Sequence, residues 1–316
     1  MIDVVAIGEI IVDCTCQAVD SDGFPTLAAH PGGAPANFLA ALAKFGANTV
    51  LMGKVGNDAF GKAMLNVIRK AGVDTQGVVV SDDVFTTMAF VTLDETGDRE
   101  FSFARKPGAD TQLRFEELDL SLIEDCKVFH FGSVSLTDEP SRTATRKAVA
   151  YAKSKGKLVT YDPNLRKPLW NDLEEAREQL LWGLQNADVV KISDEEVAFL
   201  FDLDPVKGAA YILENYDIGL VFVTCGPKGC YFSNGKAMGH VPTLSDLQVV
   251  DTTGAGDIFG GSALWKLLQL DVAPQELTED QLRDIVSFAC TSASLSTTRP
   301  GGVTAVFELD EILAKM

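Results

Sequence analysis

The residues best suited to chemistry form one stretch of seven, Asp251-Thr252-Thr253-Gly254-Ala255-Gly256-Asp257. An apolar run ending at Val249 and Val250 precedes it, and apolar residues at three- and four-residue spacing follow it. This pattern predicts a strand, a glycine turn and a helix. Glycines let the backbone turn tightly and approach a ligand, and the free amides that open a helix attract an anion. The stretch therefore predicts an anion site at the start of a helix.

Asp257 adds a carboxylate to the first turn of that helix. A carboxylate repels a phosphate that is merely bound, but it can take the proton of a hydroxyl that attacks a bound phosphoryl group. A capped helix after a tight turn is the structural alternative, and these residues alone leave both open. The spacing of Gly254, Gly256 and Gly260 does not match a dinucleotide fingerprint, so a reductase is a weaker hypothesis.

Length and composition bound the class of protein. The chain has 316 residues, of which 46% are hydrophobic, enough for one large α/β domain or two smaller ones. No apolar run has transmembrane length and no signal peptide is apparent, so we expect a cytoplasmic protein without a membrane partner. The net charge of −18 argues against nucleic acid. The six cysteines and three histidines show no metal-ligand spacing, which indicates reduced thiols.

Polar residues near the N-terminus suggest a second part of the site. Residues 4–12 resemble one buried strand that ends at Asp13, where a ligand crevice or a solvated loop would place a carboxylate. Gly32 and Gly33 then lead into a small-residue helix that ends at Gly46. Asn37 offers both a donor and an acceptor to a pair of sugar hydroxyls, or it is simply a helix-start residue.

Between residues 84 and 110 the pattern changes to strands. Alternating runs at 87–93 and 99–104 flank a turn at 94–98, which predicts a hairpin acting as a small lid or edge sheet. Phe101 and Phe103 share one face, and Arg105 is next in that series. The face is either an aromatic wall with a charged contact over a substrate, or a packing surface that ends in a solvated arginine.

The rest of the chain alternates between strand and helix patterns. The helix predicted for 58–71 turns Ala63 inward, and a long small-residue helix is predicted from the glycine turn to about Thr298. No internal repeat or linker appears. We therefore predict an α/β fold, a doubly wound and mostly parallel sheet flanked by helices, forming a single domain over 1–316 with lid segments at about 13–31 and 84–110.

At this point two signatures carry a family likeness. Gly32-Gly33 with Asn37, and the stretch 251–257, resemble the two signatures of the ribokinase-like (PfkB) sugar kinases, in order and at the expected separation. Within that family the chain looks most like fructokinases, on segments 105–110, 129–133, 162–166 and 191–196.

The resemblance implies transfer of the γ-phosphoryl group of ATP to a sugar hydroxyl, for fructose the one on C6. A kinase of 2-keto-3-deoxygluconate is the near alternative, and a non-catalytic sugar- or nucleotide-binding regulator is the alternative from another class. Asp257 would be the base, with an anion hole from Gly254, Ala255 and Gly256. The matching sugar contacts are Asp13, Gly33, Asn37, Phe103, Arg105 and Arg166.

The resemblance also implies sites for ATP and for metal ions. Thr224, Gly226 and Gly229 match the segment around ATP, and Lys191 either reaches a phosphate or is a solvated lysine. The family's Mg²⁺-related motif usually has Asn where this chain has Ser193, so only Glu196 carries over, through water. A K⁺ ion beside the anion hole is a further possibility, at positions matching Asp251, Thr253, Ser296, Arg299 and Gly301. In several relatives such lids pair between subunits, so the resemblance also suggests a homodimer through the lid.

Overall fold

The computed structural model describes residues 1–93 and 99–316. The strands in chain order are β1 (Ile2–Ile7), β2 (Ile11–Val19), β3 (Pro25–Gly32), β4 (Thr49–Gly56), β5 (Asp74–Ser81), β6 (Thr87–Leu93), β7 (Arg99–Ala104), β8 (Cys126–Gly132), β9 (Leu158–Asp162), β10 (Val189–Ser193), β11 (Leu220–Thr224), β12 (Cys230–Ser233) and β13 (Met238–Val241). The α-helices are α1 (Ala34–Lys44), α2 (Ala59–Lys70), α3 (Leu120–Glu124), α4 (Ser141–Ser154), α5 (Leu173–Asn186), α6 (Asp194–Phe201), α7 (Pro205–Asn215), α8 (Ala255–Leu268), α9 (Glu279–Ser296) and α10 (Leu309–Leu313).

The larger sheet has nine strands in the order β13-β12-β11-β10-β9-β8-β1-β4-β5. Neighbours from β5 to β11 run parallel, and β12 and β13 form an antiparallel edge. From β1 the chain builds outward to β5 on one side, and from β8 it builds outward on the other. The predicted doubly wound, mostly parallel sheet is confirmed. Its strand order reverses between β1 and β8, where open sheets of this kind bind ligands.

Helices cover both faces of this sheet, and a separate apolar core fills each interface. In β1, Val4 and Ala6 belong to the core under α1, α8 and α9, whereas Val5 and Ile7 belong to the core under α4 and α5. All four side chains are fully buried. A strand covered on both faces is apolar throughout, which is why β1 shows no alternation in its sequence.

A smaller sheet of four strands, in the order β3-β2-β6-β7, lies apart from the large one. The predicted hairpin is present as β6 and β7, which pair antiparallel; its turn at 94–98 lies outside the described residues. β2 pairs parallel with β6 and antiparallel with β3. The small sheet is thus built from the two stretches that the sequence suggested for a lid.

Two strand predictions were wrong. The apolar run 4–12 is not one strand, because β1 ends at Ile7 and β2 begins at Ile11 in the other sheet. Asp13 therefore lies within β2 and not after a strand end. The change of direction is hidden in the sequence because residues on both sides of it are buried. Val249 and Val250 form no strand; both are 59% exposed, and no strand pairs with them.

Two helix predictions also need correction. The long helix predicted up to Thr298 is two helices, because α8 ends at Leu268 and α9 starts after Thr278. Asp271, with φ 48°, and the 3₁₀ turn at 274–276 redirect the chain between them. In α2 the inward face uses Met64, Leu65 and Ile68, and Ala63 is exposed.

Candidate active site

The candidate catalytic and binding residues meet at the carboxyl edge of the large sheet. β9 ends there at Asp162, β10 brings Lys191, and the N-termini of α1 and α8 lie beside each other. This packing places Asn37, in the first turn of α1, against Asp257, in the first turn of α8. The two signatures are far apart in the sequence, and the fold joins them.

The glycine turn before α8 has the geometry expected for an anion site. Gly254 has φ 74°, in the left-handed region, and its carbonyl accepts the Ile258 amide at 2.8 Å. The amides of Gly256 and Asp257 precede that first bond of the helix, so they are free to face a ligand. A Cβ on Gly254 would stand 2.9 Å from the Cα of Gly302. Glycine is thus required here for both conformation and space.

Asp257 is 7% exposed and is fixed by one side chain. Asn37 Nδ2 donates to its Oδ2 at 2.8 Å. Burial raises the pKa of Asp257, while the Asn37 hydrogen bond and the positive charges of Lys191 and Arg166 oppose the rise. Asn37 itself is 3% exposed, and its Oδ1 has no hydrogen-bond partner within the described residues. That oxygen is shielded from solvent and faces Gly302, where a Cβ would stand 2.2 Å from it.

Asp13 and Gly33 line the same crevice. Burial raises the pKa of Asp13 to about 6, against the opposing charge of Arg166 and His30. Gly33 caps α1 with φ 115°, and a Cβ there would lie 2.5 Å from the Glu9 carbonyl oxygen. Arg166 is exposed and forms no ion pair among the described residues. Its charge still acts on both Asp13 and Asp257, so it borders the site at its open side.

Glu9, a residue that no sequence motif singled out, supports this arrangement. Its side chain is buried, and Oε1 accepts the Ala34 amide, the first of α1, at 2.8 Å. Gly33 has no side chain to cap the helix, so Glu9 does this from another part of the chain. Burial, together with the nearby charges of Asp257 and Asp110, raises the pKa of Glu9 to about 7, against the hydrogen bond from the Ala34 amide. Its position after an apolar strand was the only available signal.

Lys191 is not a solvated lysine. Its Nζ lies 3.0 Å from Asp162 Oδ2, and a Cβ on Gly256 would stand 3.0 Å from the same Nζ. The ammonium group therefore lies beside the glycine turn before α8. Burial lowers the pKa of Lys191, but Asp162, Glu196 and Asp257 outweigh it and raise the value. Asp162, a second residue missed as a site residue, has its pKa raised to about 7 by burial, although Lys191 opposes this.

Glu196 has a structural role that is visible in its contacts. Its Oε2 accepts the Ser193 amide at 2.8 Å, and Ser193 in turn caps the start of α6. Its Oε1 accepts the Leu165 amide at 2.7 Å. Each oxygen keeps one lone pair, which suits a bond to a metal-bound water. Within residues 1–93 and 99–316 no cluster of three or more His, Cys, Asp or Glu side chains is arranged to hold a metal ion.

The segment matched to ATP follows β11. Thr224 ends the strand and donates through Oγ1 to the Ile192 carbonyl at 3.4 Å. Gly226 and Gly229 have φ 52° and 94°, and a Cβ on Gly229 would stand 2.0 Å from the Val241 carbonyl oxygen. The turn after β11 can therefore pass close under β13 only with glycine at that position.

Asp251 connects the glycine turn before α8 to the loop after α9. Its Oδ1 accepts the Thr253 amide at 2.9 Å and the Thr253 hydroxyl at 2.7 Å, and its Oδ2 accepts the Gly301 amide at 2.9 Å. Ser296 donates its hydroxyl to the Ala293 carbonyl, and the Arg299 guanidinium stacks over Phe307 at 3.5 Å. The polar groups of Ser296 and Arg299 are thus engaged elsewhere, so a cation bound near Asp251 would depend on backbone oxygens.

The hairpin of β6 and β7 carries Phe103, which is half-buried on β7 opposite Ala89; the side chain of Phe101 lies outside the described part of the structure. Arg105 is neither a solvated arginine nor an open contact, since it is only 7% exposed. Its N–H groups bond to Asp110, Thr137, Asp138 and the Val134 carbonyl.

The fold and this site define a class of enzyme. The profile of the pfkB family of carbohydrate kinases matches residues 1–308. The chain belongs to this family, and the resemblance drawn from its two signatures is confirmed.

Individual relatives sharpen the comparison. The chain is 42% identical over 308 residues to "Probable fructokinase-3" of Arabidopsis thaliana, which covers 96% of this chain and 88% of the relative. The structure of the fructokinase from Xylella fastidiosa with bound ATP has a TM-score of 0.90 and 32% identity, covering 98% of this chain and 97% of that one. The fructokinase from Vibrio cholerae O395 in its fructose-, ADP- and calcium-bound form has a TM-score of 0.86 and 32% identity, covering 99% and 98%.

A search of the described helices for membrane spans finds none that is both long and apolar enough to cross a bilayer.

Proposed function

We propose that this carbohydrate kinase transfers the γ-phosphoryl group of ATP to O6 of fructose, with Asp257 as the base. One observation carries the proposal. A buried carboxylate sits in the first turn of a helix, directly beside amides arranged for an anion, and Asn37 holds it through a 2.8 Å hydrogen bond. The solved fructokinase relatives with bound ATP, or with fructose and ADP, support the choice of substrates.

The geometry suggests a division of work at the site. Asn37 fixes Oδ2 of Asp257, which leaves Oδ1 to accept the proton of the attacking hydroxyl. In a loose transition state that proton leaves late, so placement matters more than basicity. The amides of Gly254, Gly256 and Asp257 stabilise charge on the transferring group, whereas the Ala255 amide already donates to the Thr252 carbonyl at 3.3 Å. Lys191, beside Gly256, supplies a positive charge on the same side.

Fructose is favoured over 2-keto-3-deoxygluconate by the state of Arg105. A carboxylate on the sugar needs a cation with free donors, whereas the Nε, Nη1 and Nη2 groups of Arg105 already bond to protein oxygens. Of the two arginines matched to sugar contacts, Arg166 then remains to meet the carboxylate of a sugar acid. ATP turnover should be measured on both sugars with Mg²⁺ present; a higher kcat/KM on the sugar acid would reverse the assignment.

Asp257→Asn tests catalysis against a non-catalytic regulator. The change keeps the shape and removes the base, so we expect kcat to fall by about 100-fold or more while ATP binding stays within a few-fold. Asp271→Asn is the matched control, because that acid is exposed and its φ of 48° suits asparagine. Turnover by Asp257→Asn within a few-fold of the wild type would remove Asp257 from the mechanism.

The proposal extends to metals, assembly and compartment. Mg²⁺ would be held mainly by the phosphates of ATP, with Glu196 contributing through water, and K⁺ would bind beside Asp251. In the hairpin of β2 and β3, the side chains of Val19 and Phe24 are 62% and 73% exposed. Pairing of two copies of the chain through this hairpin would cover them. Phe24→Asp should then convert a dimer to a monomer, as measured by light scattering. The free cysteines suit the reducing cytoplasm.

A further inference from the structure

A single buried carboxylate, that of Asp110, connects both strands of the lid hairpin. Asp110 is 4% exposed. Thr87, the first residue of β6, donates its hydroxyl to Oδ1. Arg105, directly after the end of β7, donates Nε to Oδ2 at 2.8 Å and brings Nη2 within 2.7 Å of the same atom. The start of β6 and the end of β7 are therefore bonded to the same carboxylate.

The same cluster reaches the large sheet through Arg105. Nη1 donates to Thr137 Oγ1 at 2.8 Å and to Asp138 Oδ2 at 3.1 Å, and Nη2 donates to the Val134 carbonyl at 3.1 Å. These acceptors lie in the loop after β8, beside the point where the strand order reverses. The base of the hairpin is thus joined to the part of the large sheet that forms the crevice.

Packing leaves this joint little freedom. A Cβ on Gly108 would stand 2.0 Å from Thr87 Oγ1, so the segment between Arg105 and Asp110 is held tightly against the start of β6. Thr87 is fully buried and Arg105 is nearly so, which means that water cannot replace the bonds if they are lost. Further along β7 from this joint, Phe103 lies half-buried opposite Ala89.

We propose that Asp110, with Thr87 and Arg105, is a positioning group that fixes the lid hairpin over the sugar crevice. This rests on the proposed function, since the lid is taken to cover a bound sugar. Arg105 acts here on the lid and not on the substrate. Loosening the joint should weaken sugar binding, while the glycine turn before α8 and the segment after β11 are unaffected.

Thr87→Val tests the joint, and Thr87→Ser is its matched control. Valine has nearly the shape of threonine but cannot donate to Asp110, whereas serine can. We expect Thr87→Val to raise the KM for fructose about tenfold, as for a lost hydrogen bond to a buried charge, with kcat and the KM for ATP within about twofold. Thr87→Ser should restore the wild-type KM. Unchanged KM for fructose in a folded Thr87→Val protein, or an equal rise in both KM values, would overturn the proposal.

Hydrogen exchange without any sugar separates this inference from the proposed function. In ligand-free protein, Thr87→Val should speed amide exchange in β6 and β7 by about tenfold or more relative to wild type, while exchange in α8 stays the same. If fructose is not turned over at all, this measurement still decides whether the joint exists. Equal exchange in the hairpin of both proteins would refute it, and faster exchange everywhere would show general destabilisation instead of a local joint.

Discussion

Gly302→Ala should strongly reduce activity, because the added methyl group displaces Asn37, the residue that holds the proposed base Asp257. A Cβ at Gly302 would lie 2.2 Å from Oδ1 and 2.6 Å from Nδ2 of Asn37. Real Cβ atoms essentially never come within 3.0 Å of a heavy atom in a residue that is not their neighbour in the chain. The Asn37 amide must therefore move by about 1 Å, and it is the group that holds Asp257.

The expected size of the effect follows from two estimates. A hydrogen bond to a buried charge is worth about 1.5–3 kcal/mol, which corresponds to roughly 10- to 100-fold in rate. A misplacement of about 1 Å near the reacting atoms has a similar cost, about 100-fold. We expect kcat/KM for fructose to fall by about 100-fold, with most of the loss in kcat. ATP binding should change little, because the nucleotide segment is not involved.

The assay compares steady-state kinetics and thermal melting of Gly302→Ala with those of Gly260→Ala. Gly260 lies on α8 close to Asp257, but a Cβ there would be 3.4 Å from Phe38, an ordinary contact. Alanine is also the better helix former, so this control should retain activity and stability. If kcat/KM of Gly302→Ala stays within threefold of the wild type, Asn37 does not position Asp257 and the argument fails.

Two further predictions concern buried charge. The pKa of Glu9 is raised from 4.5 to about 7, so the protonated form favours folding. Its stabilising contribution is complete below pH 4.5 and is lost as pH rises to about 7. Glu9→Gln keeps the acceptor for the Ala34 amide but cannot ionise. Measured by urea unfolding, its free energy of unfolding minus that of the wild type should therefore increase by up to about 3 kcal/mol between pH 5 and pH 8. A difference that does not change with pH would contradict this. Lys191→Met should lower kcat about 100-fold by removing the cation beside Gly256 and leave the KM for fructose unchanged. An unchanged kcat would mean that Lys191 only neutralises Asp162.

The sequence predicted those features of the fold and site that depend on residues close together in the chain. The hairpin of β6 and β7 follows from alternation, and the turn at Gly254 follows from glycines ahead of an apolar helix. The doubly wound sheet follows from repeated strand and helix patterns, because parallel neighbours need crossover helices. Each of these depends on residues that are close together in the chain.

Other features depend on contacts across the fold, which no local pattern reports. The break between β1 and β2 is hidden because both segments are buried, and Val249 and Val250 lack a neighbouring strand to pair with. Glu9 and Asp162 are defined by what surrounds them, an α-helix N-terminus in one case and Lys191 in the other. The bonds of Arg105 to the loop after β8 likewise could not be inferred from an alternating strand.

The charges around the crevice favour backbone amides over arginines for the anion hole that we propose. Glu9, Asp13, Asp162 and Asp257 all have raised pKa values, chiefly because they are buried. An arginine beside Asp257 would form an ion pair with it, lower its pKa and occupy the oxygen that must receive a proton. Amides at a helix N-terminus attract the negative charge of the transferring group, but they carry no net charge and so form no ion pair with Asp257. Lys191 is the cation that the structure places beside the glycine turn before α8, and its ammonium group is paired with Asp162 at 3.0 Å.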